Sequence, residues 1–292
     1  MTDKIKTTTS NDSAISKRKL FFGLFVFPLL IAVGMATLLC AVVLMTHEQQ
    51  TPDTLIAEIK KSSPSKRWQK AFELSNELNR KRPDLRNKSV LNEILQIAQT
   101  PQAYDVKTRG YMALALTHFD EPESRACLRK ILSDPSDELR LYVLWSLGVL
   151  RDTMAAPEVV FYLKSDSPDV RKTAAYVLGV LGQGESRAPL RELLNDPVAD
   201  VRWNAALALA RLHEDTGLDV LIKMLERSEL VLEHRMKEDQ IEAVMINATK
   251  GLALIRNPKS IKILEIVSRN DKNMKVRQAA MQALELQLEK NY

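Results

Sequence analysis

A pattern that returns at a fixed interval constrains this chain more than any other feature. A unit of about thirty residues cannot bury a core alone and must stack on its neighbours. Four segments line up: DPSDELRLYVLWSLGVL from Asp134, DSPDVRKTAAYVLGVLG from Asp166, DPVADVRWNAALALARL from Asp196 and DKNMKVRQAAMQALELQ from Asp271. Each has an acidic turn residue, a Val or Leu, an Arg (Arg140, Arg171, Arg202, Arg277), and then small or apolar residues three, four and seven places on. The first two steps are 31 residues each, and the gap of 75 before Arg277 leaves room for a degenerate unit and an insertion at 226–243. That unit is EAVMINATKGLALI, with Met245 in the Arg slot. Upstream, KTRGYMALAL places Lys107 in the slot and KRWQKAFEL places Arg67 there, which makes seven units.

Within a unit the apolar residues keep a helical spacing. Ala205, Ala206 and Leu209 mark one stripe, and after a loop at 214–217 Leu218, Leu221, Ile222 and Leu225 mark a second. Aromatic residues make up only 5% of the chain and glycine is sparse, which suits closely packed helices better than strands. The expected fold is all-α: an α-solenoid of about seven helix pairs over residues 65–292. Each pair comprises a slot helix, carrying the Arg position, and a partner helix. An Arg one turn into the slot helix is expected to reach the acidic residue of the preceding turn, giving a structural ladder between units.

At these residues the chain resembles the HEAT repeat family, in particular the short PBS-lyase-like HEAT repeats, whose pattern D-P-x-x-x-V-R-x-x-A-A-x-x-L is closely matched by residues 196–209. The likeness extends with decreasing quality over about 65–290. It implies a fold and says little about activity, because such solenoids host many unrelated roles. The same repeat subtype occurs in proteins that attach bilin chromophores to phycobilisome subunits. An enzyme or enzyme partner of that bilin-lyase type is therefore the alternative function, although no active-site residue is carried over.

Residues 20–45 form 26 residues without a charge. As a helix they would span roughly 39 Å, more than the ~30 Å of a bilayer's hydrocarbon core, so a transmembrane anchor with a tilt or a kink at Pro28 is expected. A cleaved signal peptide has a shorter apolar run and a small-residue cleavage site, neither of which is found here. Lys17, Arg18 and Lys19 flank the run on one side, while no Lys or Arg follows on the other until Lys60. The positive-inside rule then puts the tail 1–19 in the cytoplasm and the solenoid, after a linker at 46–64, across the membrane, in a periplasm if the source is bacterial. Ten Lys and Arg residues between Lys60 and Lys88 oppose that orientation and could instead face anionic lipid.

The net charge of +5 is unevenly spread: residues 1–46 hold +3 of it and the remaining residues only +2. A nucleic-acid partner is not expected of so balanced a domain. His47, His118, His213 and His234 fall in different units, so no metal site is expected. Gly182, Gln183 and Gly184 read as a turn, and Cys127 as a packed side chain. No catalytic residue and no cofactor is expected, and the chain reads as a scaffold for a protein partner without enzymatic activity. A partner surface follows from aligning Leu128, Val160, Leu190 and Leu221 as one buried position. Two places on lie Lys130, Tyr162, Glu192 and Lys223, expected to face outward on the inner surface of the curve, with Tyr162 as its aromatic contact.

Overall fold

The computed structural model describes residues 21–46, 51–80 and 86–289. The tail 1–19 with its Lys17, Arg18 and Lys19 flank, His47, and Lys81 and Arg82 of the basic cluster lie outside them. The chain divides into two units, residues 1–50 and 51–292.

In the first unit a π-helical turn, Phe22–Val26, runs directly into α1 (Phe27–Thr46). Phe27 N–H reaches back to the Phe22 carbonyl, one residue further than in an α-helix. The wide turn sits immediately before Pro28, which has no N–H and whose ring crowds the carbonyl four residues back. Phe22–Val42 has a mean hydropathy of 2.5 and buries none of its side chains, so it is long and apolar enough to cross a membrane.

In the second unit the regular structure of the described residues is helical. The pairs are α2 (Pro52–Lys61) with α3 (Pro64–Asn79), α4 (Lys88–Ala98) with α5 (Val106–Leu116), and α6 (Pro122–Leu132) with α7 (Asp137–Val149). They continue as α8 (Ala156–Phe161) with α9 (Pro168–Leu181), then α10 (Arg187–Glu192) with α11 (Ala199–Arg211). The insertion supplies α13 (Arg227–Leu232) between α12 (Leu218–Lys223) and α14 (Glu238–Leu252), and α15 (Pro258–Asn270) with α16 (Met274–Glu289) closes the row. Local chemistry sets the starts. The side chains of Asn87, Asp105 and Ser136 accept from the third N–H of α4, α5 and α7, and prolines open α2, α3, α6, α9 and α15. Slot helices α7, α9 and α11 end on a residue with positive φ at Arg151, Gly182 and His213, again 31 residues apart.

The core runs along the stack. In α11, Ala205, Ala208 and Leu209 face the preceding pair while Trp203, Ala206 and Ala210 belong to the following cluster. Slot helices pack on one another along the whole row, whereas successive partner helices touch only sparsely. Side-chain size is the cause: a Cβ on Gly179 of α9 would lie 2.7 Å from Ala208 Cα of α11, a distance only glycine permits. Tighter packing on one side turns the row toward it. The slot helices therefore line the inner face, where the sequence reading had placed the partner helices.

Candidate functional site

The structure corrects the register of the expected partner surface. Leu128, Leu190 and Leu221 are fully buried, but in α8 that position is taken by Val159, with Val160 only half-buried. The buried column is 128, 159, 190 and 221, and the position two places on holds Phe161 rather than Tyr162. Phe161 is 77% exposed. Tyr162 is committed internally, with its hydroxyl donating to the Leu132 carbonyl at 2.8 Å and the Arg140 guanidinium 4.9 Å from its ring. Lys130, Glu192 and Lys223 are exposed on the partner helices, and Lys130 Nζ donates to Gln99 Oε1 at 3.0 Å. They lie on the layer opposite the slot helices.

The Arg column is structural, though wired differently from expectation. Arg140, Arg171, Arg202 and Arg277 each donate to the carbonyl six residues back, on Asp134, Ser165, Asp196 and Asp271, at 2.7–2.8 Å. The carboxylate of the acidic turn is instead met from the unit before it. Arg171 pairs bidentately with Asp196 at 2.8 and 3.0 Å, and Arg109 with Asp134 at 2.8 Å. Arg109, 31 residues before Arg140, is thus the slot residue of α5, not Lys107. Burial pushes the Asp196 carboxyl up, but Arg171 and the Val198 N–H outweigh it and hold it below the usual carboxylate range; Asp134 is held low in the same way.

Missed from sequence was the outward face of the slot helices. Three columns at 31-residue spacing cover it: Tyr111, Tyr142, Thr173 and Asn204; Leu114, Trp145, Tyr176 and Leu207; His118, Val149, Val180 and Arg211. Trp145 is 49% exposed and stacks on Tyr176 at 5.7 Å, Tyr111 meets Tyr142 at 5.6 Å, and Phe72, also exposed, meets Tyr111 at 5.4 Å. Burial, then Arg86, pushes the His118 imidazole below its ordinary pKa and keeps it neutral. Arg211 is accordingly the one fixed charge in the three columns. A contiguous apolar face of this kind marks an interaction surface. The signal was present in the sequence as aromatic residues three and four places after the slot arginine.

Other candidates resolve into packing. Cys127 is buried and its thiol is pushed up to about 11 by burial, which suits a packed side chain. In the basic cluster Lys60 pairs with Glu93, Lys70 with Glu58 and Glu73, and Arg80 with Glu77, while Arg67 and Arg86 donate to backbone carbonyls. Among the described residues one donor set has metal-ligand geometry: Glu229, Glu233 and His234 in the insertion, with ligand atoms within 4.8 Å of one another.

Comparison with known proteins supports the repeat directly. The family model of HEAT repeats matches residues 156–233. Two curated relatives are deoxyhypusine hydroxylases: that of Candida albicans, 32% identical over 104 residues, and that of Gallus gallus, 29% identical over 124 residues. The matches take in 35% and 41% of this chain, and 33% and 42% of the relatives. The chain thus spans between a third and a half of the length of the curated relatives it matches. Both relatives are enzymes, which overturns the expectation that this chain has no enzymatic activity. Among solved structures, the CpcE and CpcF complex of phycocyanin lyase from Nostoc sp. is similar with a TM-score of 0.54 at 18% identity, over 83% of this chain and 96% of that one. At that identity the likeness is one of fold. With the family match, the 31-residue stacking and this shared architecture together, the chain is a HEAT-repeat protein built as an α-solenoid.

Proposed function

We propose that this chain is a membrane-tethered HEAT-repeat scaffold that holds a protein partner on the inner face of its slot helices. The observation that carries the reading is the aromatic row itself. Solvent-facing positions of a water-soluble helix are ordinarily charged or polar, yet here Tyr111, Tyr142, Trp145 and Tyr176 occupy them in consecutive units, with Phe72 beside them. Trp and Tyr are enriched at binding hot spots because they offer large, rigid contact areas. Residues 20–45 would supply the tether, with the N-terminal tail cytoplasmic and residues 46–292 across the membrane. The test is a Trp145→Ser, Tyr176→Ser double variant compared with the unchanged chain after affinity isolation from native membranes. Loss of one co-purifying protein, with an unchanged melting curve, is expected; identical co-purification contradicts the reading. A reporter active only in the cytoplasm, fused after Tyr292, should be silent, and activity would reverse the topology.

A second reading follows from the hydroxylase relatives: that this chain hydroxylates deoxyhypusine. Inserting an oxygen atom requires a metal or cofactor that activates dioxygen, and non-haem iron oxygenases use two imidazoles and one carboxylate. Glu229, Glu233 and His234 offer one imidazole and two carboxylates, so that set does not fit, and the reading is supported by the sequence likeness alone. Incubation of the iron-loaded chain with a deoxyhypusine-bearing protein tests it, the gain of one oxygen atom by mass spectrometry supporting it and an unchanged mass opposing it.

A further inference from the structure

At one end of the aromatic face, where α9, α11 and α14 meet, lies a pocket of about 200 Å³ lined by Tyr176, Asn204, Arg211, Asn247 and Lys250 among others, with no carboxylate in its wall. Arg211 is unlike the slot arginines. Its guanidinium lies 5.1 Å from the Tyr176 ring, and its buried Nη1 has no hydrogen-bond partner. Neither Arg211 nor Lys250 has an ion-pair partner among the described residues. Burial lowers the Arg211 pKa from its ordinary value, but a guanidinium stays charged at neutral pH. A desolvated cation with an idle N–H is costly unless an anion completes it.

We infer that this pocket receives an aspartate or glutamate side chain of the partner, held between Arg211 and Lys250, with neighbouring apolar residues of the same segment lying on Trp145 and Tyr176. The inference rests on the scaffold reading and names its partner's chemistry: an acidic segment interspersed with aromatic or aliphatic residues. Size favours one side chain as occupant, because pockets for free small molecules start at roughly 300 Å³. Charge complementarity does the rest. Two unpaired cations border a face that is otherwise uncharged in its three columns, and a guanidinium fork matches a carboxylate through paired N–H···O bonds.

The test uses the full chain in detergent micelles and a fluorescent random copolymer of glutamate and tyrosine, with a lysine–tyrosine copolymer and inorganic phosphate as controls. The glutamate–tyrosine copolymer is expected to bind in a salt-sensitive way, the lysine–tyrosine copolymer not to. Arg211→Gln should weaken binding about tenfold or more, as the loss of a charged hydrogen bond implies. It should also leave the melting temperature unchanged or raised, since it removes an unsatisfied buried cation. Lys250→Gln, at an exposed position, should weaken binding severalfold and carries the test if Arg211→Gln fails to fold. Unchanged binding in both variants, no binding of the copolymer, equal binding of the lysine copolymer, or displacement by inorganic phosphate as strong as by free copolymer each overturns the inference. Partner capture lost on changing Trp145 and Tyr176 but indifferent to Arg211 leaves the scaffold standing and sinks this inference alone; capture indifferent to all of them sinks the scaffold.

Discussion

Asp196 receives two donors of different origin, the Val198 N–H of its own turn and the Arg171 guanidinium of the unit before, so one carboxylate starts a helix and ties two units together. Its side chain is 8% exposed and that of Arg171 14%. Arg202 sits in the same slot one unit on, but it donates only to the Asp196 and Pro197 carbonyls. Arg171→Ala should therefore cost about 2 kcal/mol and Arg202→Ala less, at roughly 1 kcal/mol, by thermal or urea unfolding. Equal losses would deny the carboxylate any special weight. The depressed pKa values of Asp134 and Asp196 give the pH sign: their contribution is complete above the ordinary carboxylate pKa and is lost as pH falls through the lower folded values. Stability should decline on acidification below about pH 4, and the decline should be shallower in Asp196→Asn. Sequence reading found the slot arginines at 140, 171, 202 and 277 but not their partners. The acidic residue precedes each Arg along the chain, and only the stacked structure shows that its carboxylate faces backward to the previous unit.

Among the helices, two kinds of glycine carry different constraints. Gly182 ends α9 at φ 73°, so Gly182→Ala should cost about 1 kcal/mol through backbone strain alone. Gly179, inside the same helix, has ordinary φ but no room, so Gly179→Ala should cost roughly 1–3 kcal/mol by forcing α9 and α11 apart. A calorimetric comparison of the two variants checks this; a neutral Gly179→Ala would mean the slot helices are not held at contact distance. The helix pairs themselves were legible, since caps, prolines and a 31-residue period all agree. Two register errors arose where the period was followed through irregular helices. The α8 helix is only six residues long before it tightens into a 3-10 turn at Tyr162–Lys164, which places Phe161 and not Tyr162 outward. In α5 the Lys107 reading ignored that Arg109, Gly110 and Tyr111 align with Arg140, Leu141 and Tyr142.

At the scale of the molecule, the inner and outer layers could not be told apart by apolar spacing, because both helices of a pair bury a stripe. The distinguishing signal is residue size: alanine and glycine at the slot-helix contacts, leucine on the partner helices. That asymmetry turns the row and gathers Tyr111, Tyr142, Trp145 and Tyr176 on one face, ending at Arg211 and Lys250. The account's central claim is that this face, and not the partner-helix layer, takes the partner. A photo-crosslinking side chain placed singly at Trp145 and at Lys223 in the full chain, in native membranes, tests it most directly. A discrete protein adduct from position 145 and none from 223 is the predicted result; an adduct from 223 alone would contradict it.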